Sequence, residues 1–184
     1  SQRSSDRGSS DAFINMICAS IYAVSNIAEL SVVMHGTIED TICLAHRGTR
    51  VRKLHTERRD AFRSINDKPL AKIYPNGKIE IINKNYNKRK DIEAVLDAKI
   101  NEKVALVKVF PGADPSIIDF FVDKGYKGIV IEGTGFGHVP TETIDKSKSW
   151  ISNIERAIEN GVFVCMTSQT IFGRTNPFVY SNAR

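Results

Sequence analysis

VALVKVF (104–110), PSIIDFFVDKG (115–125), GIVIEG (128–133), SWISNIERAIENG (149–161) and VFVCMTS (162–168) follow one another in the second half of the chain. Three are compact apolar runs of strand length. The two between them space apolar residues at helical intervals and end on Gly125 and Gly161, the residue type that closes helices. Strands alternating with helices of ~10–13 residues imply right-handed crossovers and a parallel sheet, so this half reads as a βαβαβ unit of an α/β protein. In such sheets ligands gather at the carboxyl ends of the strands. That rule points to Phe110-Pro111-Gly112, to Gly133 through Pro140, and to Thr167 through Thr170.

Upstream, Asn83 to Asp91 is polar and without periodicity, and it reads as a linker. The expected domains are therefore 1–90 and 91–184. The first opens on a polar segment ending in Ser9, Ser10 and Asp11, all good N-cap types. Phe13, Ile14, Ile17, Ile21, Val24 and Ile27 then predict an amphipathic helix of four or five turns. LSVVMH (30–35) and TICLA (41–45) read as buried strands, and KPLAKIYPNGKIEII (68–82) as a hairpin turning at Pro75-Asn76-Gly77. The basic stretch HRGTRVRKLHTERRDAFR (46–63) between them reads as a loop.

The 184 residues are 41% hydrophobic and 26% charged, ordinary for a globular chain and unlike disordered or collagenous ones. No apolar run approaches the ~20 residues of a membrane helix, and the first dozen residues have no signal-peptide core. Cys18, Cys43 and Cys165 are odd in number, widely spaced and set in apolar surroundings, which reads as buried free thiols of a reducing compartment, the cytoplasm. The formal charge of +5 permits acidic or nucleic-acid partners without requiring them. Much of it is concentrated: Arg47, Arg50, Arg52, Lys53, Arg58, Arg59 and Arg63 fall within 17 positions.

GTGFGHVP (133–140) is not a dinucleotide fingerprint, because His138 stands where the third glycine should be. Its glycines allow close approach of a ligand or another chain, or simply a tight turn. His35, His46, His55 and His138 show no metal-ligand spacing, and His46 and His55 sit among arginines, so no metal is expected. Lys53 is the more informative group. A lysine with the ordinary pKa of ~10.4 is no base at neutral pH, but burial and neighbouring cations such as Arg50 and Arg52 depress that value. A solvated lysine in a basic loop remains the plainer reading, and a phosphate-binding arginine cluster is a rival one. Only Phe62 interleaves with those cations, too few aromatics for single-strand stacking.

QRSSDRGSSDA (2–12), VVMHG (32–36), HRGTRVRKLHTERRDAFRSIN (46–66), IEGTGFGHVP (131–140) and TSQTIFGRTNPFVY (167–180), taken in order, resemble the asparaginase family of amidohydrolases. Within that family they look most like the D-type subunit of archaeal glutamyl-tRNA(Gln) amidotransferases. The resemblance covers essentially the whole chain. It implies the later part of a larger N-terminal α/β domain, then a smaller domain with the parallel βαβαβ sheet. The family's catalytic lysine falls on Lys53, which precedes the stretch ending at Asn66. Its threonine nucleophile and Thr-Asp pair have no counterpart here, because the family places them upstream of Ser1. The resemblance thus implies that Ser1 is a truncation point and that the chain alone is inactive. It also makes His138 a candidate substrate-proximal or subunit-interface residue, since the glycine-rich loop in related enzymes reaches a neighbouring subunit's site.

The implied activity is release of ammonia from glutamine or asparagine, delivered to a partner subunit of the E type that converts Glu-tRNA(Gln) to Gln-tRNA(Gln). No cofactor is implied for this subunit, with ATP and magnesium expected in the partner, and a homodimer or heterotetramer is implied. A stand-alone cytoplasmic L-asparaginase is the alternative enzyme. A non-catalytic tRNA-contacting or scaffold module is the alternative from another class.

Overall fold

The structure, a computed structural model, describes residues 3–93 and 95–180. Ser1 and Gln2, where the implied truncation and the QRSSDR motif begin, lie outside the described residues. The chain forms two compact units, Ser1–Ala94 and Val95–Arg184.

In the first unit, helix α1 (Ala12–Ala23) packs on a four-stranded antiparallel sheet. Its strands are β1 (Ser31–His35), β2 (Cys43–Arg47), β5 (Ala71–Ile73) and β6 (Ile79–Ile81), in the order β1-β2-β5-β6. Strands β3 (Val51–Lys53) and β4 (Phe62–Ser64) form a separate two-stranded hairpin. The core joins Cys18 and Tyr22 of α1 to Cys43, Ala45, Leu70, Ala71 and Ile73.

Three expectations need correction. Helix α1 has 12 residues, fewer than four turns. It stops at Ala23 because the Ser25 N–H turns back to the Tyr22 carbonyl and the Ser25 hydroxyl takes the Ile27 N–H, a local bond that competes with further helix. Its buried face centres on Asn15, Cys18 and Tyr22, with Ile14 and Ile21 of the predicted stripe packed beside them, whereas Phe13 and Val24 are 72% and 79% exposed. Second, the basic stretch is not one loop. It contains the end of β2, all of β3 and the start of β4, because Val51 and Phe62 are strand formers whose backbones pair, with Lys53 opposite Phe62. Third, Asn83 to Arg89 is fastened to the first unit. Ala28 donates to the Asn87 carbonyl at 2.8 Å, Asn87 donates to Glu29 at 2.9 Å, Arg47 donates to the Asn85 carbonyl at 2.6 Å, and Ile27 bridges Lys88. Tyr86 packs against the core. The two compact units meet at Ala94 and Val95, within a few residues of the expected 90/91 division. Polar composition marks a linker only when its hydrogen bonds go to water, and here they go to protein.

The second unit follows the alternation read from sequence: β7 (Val104–Lys108), α2 (Ser116–Asp123), β8 (Gly128–Gly133), α3 (Ile151–Glu159) and β9 (Phe163–Ser168). The strands are parallel in the order β7-β8-β9, with Val104 beside Gly128 and Gly128 beside Phe163. Both helices close in the same way. Gly125 (φ +70°) and Gly161 (φ +74°) take the left-handed conformation, and the next N–H reaches back to Phe121 at 3.0 Å and to Ala157 at 2.9 Å. Arg156 of α3 ties the helices by bonding Asp119 and Asp123 of α2 at 3.0 and 2.5 Å. Trp150, Ile118, Ile129 and Ile131 are the fully buried centre of the core. Cys18 and Cys43 are buried as read, whereas Cys165 is exposed, because it lies on β9 at the edge of this sheet. Among the described residues no helix is long and apolar enough to cross a membrane.

Candidate functional site

Lys53 is the last residue of β3 and is exposed. A shallow cavity of about 330 Å³ opens beside it, lined by Lys53, Leu54, His55 and Thr56. The ladder runs one rung further, with the Leu54 N–H on the Ala61 carbonyl at 2.8 Å. The loop then turns around His55, whose Nδ1 accepts the Glu57 and Arg58 N–H groups, each at 3.1 Å. The described residues leave Lys53 open to solvent, so none of them supplies the burial that would depress its pKa.

The basic cluster separates into two groups. Four guanidiniums are held by carboxylates: Arg47 by Glu29 at 2.8 Å, Arg58 and Arg63 by Asp60 at 2.8 and 2.7 Å, and Arg59 by Asp40. Arg50, Arg52 and Lys53 have no carboxylate at ion-pair distance among the described residues. Cations already neutralised by protein carboxylates release few counterions on meeting phosphate, which weakens the nucleic-acid reading of this stretch.

Two of the histidines, His35 and His46, are buried in the first unit. His35 is fully buried, with Nδ1 2.6 Å from the Asn15 amide oxygen and Nε2 2.9 Å from Asp40. His46 does not lie in a loop, as the basic stretch suggests. It is a fully buried β2 residue with Nδ1 2.8 Å from the Ser64 hydroxyl. Among the described residues no three His, Cys, Asp or Glu side chains converge to hold a metal.

Burial, aided by the charge of Arg63, pushes the His46 imidazole down to about 4. An unfolded histidine titrates near ~6.5. The folded pKa lies below the unfolded one, so the stability is fully present above the unfolded value and is lost as pH falls toward the folded one. The predicted loss between pH 7 and 4 is at most about 3 kcal/mol. Urea unfolding across that range checks it, and His46→Asn, which keeps a partner for Ser64 but does not titrate, should flatten the slope. An unchanged slope in the variant would assign the acid sensitivity elsewhere.

In the second unit, the three segments named from the strand-end rule do converge. The Gln169 side chain donates to the Glu132 carbonyl at 2.9 Å and to the Val109 carbonyl, and the Gln169 N–H donates to Gly133 at 2.9 Å. One carboxamide thus ties the carboxyl ends of β7 and β8 to the segment following β9. A cavity of about 500 Å³ lies there, lined among others by Phe110, Pro111, Thr134, His138, Thr143 and Lys148. His138 is half-buried, with edge contacts to Tyr180 and Phe136 at ring separations of 5.3 and 6.2 Å. Its buried Nε2 has no hydrogen-bond partner.

The glycines of this loop answer first to the chain itself. Thr134 and His138 exchange N–H···O bonds at 2.9 and 2.8 Å, folding residues 134–138 back on the strand end. A Cβ on Gly133 would lie 2.7 Å from the Gly137 carbonyl carbon and from the His138 oxygen. Gly135 and Gly137 adopt φ of +51° and +100°. The tight-turn reading accounts for all three.

Sequence reasoning passed over Asp60, although a lone acid between Arg58, Arg59 and Arg63 is where charges pair. The strand-end rule reached the segment that holds Gln169 but not its role, because which carbonyls it meets is decided by strand order.

Two family models match the chain: the N-terminal asparaginase domain over residues 1–87 and the glutaminase/asparaginase C-terminal domain over residues 103–184. The chain is similar to the D-type subunit of glutamyl-tRNA(Gln) amidotransferase from Pyrococcus abyssi, with 64% identity over 183 residues, 100% of this chain and 40% of that protein. The corresponding amidotransferase subunit of Thermococcus kodakarensis is 59% identical over 184 residues, again 100% of this chain and 40% of the relative. The chain therefore spans about 40% of the length of these curated relatives. Among solved structures, the thermostable L-asparaginase from Thermococcus kodakarensis superposes with a TM-score of 0.81 at 23% identity, over 97% of this chain and 50% of that one. At that identity the likeness speaks for the fold.

Proposed function

The chain belongs to the asparaginase family, and from that premise we propose that it is part of an amidohydrolase subunit that releases ammonia for the conversion of Glu-tRNA(Gln) to Gln-tRNA(Gln). The observation that carries this reading is the 64% identity to the D-type subunit of an amidotransferase across the whole chain, with no part of it left unmatched. The stand-alone asparaginase reading has weaker support, a shared fold at 23% identity. The tRNA-contacting module has the neutralised arginines against it.

In the proposed chemistry a threonine hydroxyl attacks the carboxamide carbon of glutamine or asparagine, and its proton must leave as the bond forms. Lys53, at the end of β3, is the group assigned to accept that proton and later return it toward the departing ammonia. Developing charge on the amide oxygen requires N–H donors at that point. No residue of 1–184 matches the family's nucleophile, so the chain by itself is expected to release no ammonia. His138 contributes at the substrate or at a subunit contact. The ammonia passes to an E-type partner subunit, where ATP and magnesium activate Glu-tRNA, and the complex works in the cytoplasm.

The test is glutamine-dependent formation of Gln-tRNA(Gln) by the full-length protein with and without an E-type subunit, with free asparagine hydrolysis measured alongside. Product that requires both subunits supports the proposal. Efficient asparagine hydrolysis by the protein alone, with no gain in tRNA product on adding the partner, would favour the stand-alone enzyme.

A further inference from the structure

Asp60 occupies the foot of the turn that follows Lys53. It is 5% exposed, and the next residue, Ala61, supplies the carbonyl that closes the ladder beyond the Lys53–Phe62 pair. Its Oδ1 accepts from Arg58 Nε at 2.8 Å, and its Oδ2 accepts from Arg58 Nη2 at 2.9 Å and from Arg63 Nη2 at 2.7 Å. One carboxylate thereby joins the loop, through Arg58, to strand β4, through Arg63. Arg63 is the register partner of Arg52, the neighbour of Lys53.

The bonds from Arg58, and then those from Arg63, hold the Asp60 carboxyl far below the usual carboxylate range. Residues 51–64 carry Arg52, Lys53, Arg58, Arg59 and Arg63 against two acids, Glu57 and Asp60. A fixed negative charge inside this hairpin therefore offsets repulsion that would otherwise splay it. The tip is pinned separately, with Arg59 bonding Asp40, the Ile38 carbonyl at 3.0 Å and the Ser10 carbonyl at 3.3 Å. The clamp thus works between a fixed tip and a fixed strand, on the turn that begins one residue after the lysine and lines the same cavity with it.

We propose that Asp60 is a positioning residue for Lys53: by holding Arg58 and Arg63 together it locks the turn from Leu54 to Ala61 and sets where the Lys53 amine stands at the end of β3. The inference rests on Lys53 being the proton acceptor in amide hydrolysis. A misplaced acceptor slows proton transfer without weakening ground-state binding of the amide, so the loss should fall on kcat rather than KM.

The experiment measures steady-state ammonia release from glutamine by the full-length protein. Arg58 and Arg63 side chains are 53% and 40% exposed, so the double variant Arg58→Gln/Arg63→Gln removes both guanidinium arms without opening a cavity, but it leaves the Asp60 carboxylate buried without its counter-charges and should lower the thermal midpoint. In enzyme shown by circular dichroism to be folded at the assay temperature, it should lower kcat by about tenfold or more with KM within about twofold. Asp60→Asn should fall to the same level, Asp60→Glu should recover part of the rate, and combining Asp60→Asn with the arginine changes should add little, as for groups acting as one unit. If Asp60→Asn does not fold, the arginine double variant decides alone. Full kcat in that double variant, or a loss that disappears once the rate is expressed per folded molecule, would overturn the positioning role. Lys53→Met, run beside them, separates the two ideas. An active Lys53→Met enzyme removes the reading on which the inference rests, whereas an inactive one beside a normal arginine double variant removes the inference alone.

Discussion

Lys53→Met in the full-length protein is expected to lower the turnover of amide hydrolysis by roughly 10²–10⁴-fold, the contribution a positioned proton acceptor makes. The side chain is exposed at a strand end, and its backbone, not its amine, makes the β3–β4 pairing, so the folding cost should be small. Lys53→Arg should fail as badly. A guanidinium preserves the charge but, with a pKa above ~12, does not give up a proton at working pH. Steady-state ammonia release reports the rate, and circular dichroism reports the fold. Near-normal turnover in Lys53→Arg would mean that position 53 supplies a fixed charge, and the proton-relay role would be withdrawn.

The second large effect is structural. Gly133→Ala should destabilise the second unit by about 3 kcal/mol, at the upper end of what overpacking usually costs. Its φ is not in the left-handed region, so the cost is steric. The new Cβ would meet the Gly137 carbonyl carbon and the His138 oxygen at 2.7 Å and the His138 nitrogen at 2.8 Å. All three are backbone atoms of a turn closed by its own hydrogen bonds, and they have no rotamer by which to move aside. Gly128→Ala is the matched control in the same strand, where the nearest atom is a Val104 methyl at 3.4 Å. Urea unfolding should separate the two variants clearly. Equal stabilities would show that the 134–138 turn yields, and that Gly133 is present for some other approach.

The second unit was legible because its information is local and periodic. Strands 104–108, 128–133 and 163–168, the helices between them and their glycine stops are all set by residues within one element or one turn of it. Parallel pairing then follows from alternation alone. The family resemblance was legible for a similar reason, since its segments are contiguous.

The first unit was harder, and for one physical reason: its elements are too short to show a period, so their identity rests on the segments they pair with. Val51–Lys53 is three residues, too few to show a period, and becomes a strand only because Phe62–Ser64 lies against it. Asn83 to Arg89 has a linker's composition, yet Glu29, Asn26 and Arg47 take up its hydrogen bonds. His46 reads as one more basic-loop residue until strand β2 carries it into the interior.

The candidate site divides along the same line. Which residue is a lysine, which stretch resembles the asparaginase family, and where strand ends collect were determined by sequence alone. That Lys53 is exposed, that four of its neighbouring arginines are neutralised, and that Asp60 binds two of them were decided by tertiary structure. Charge is a property of a residue, but its pairing and its burial are properties of what the fold brings within a few ångströms of it.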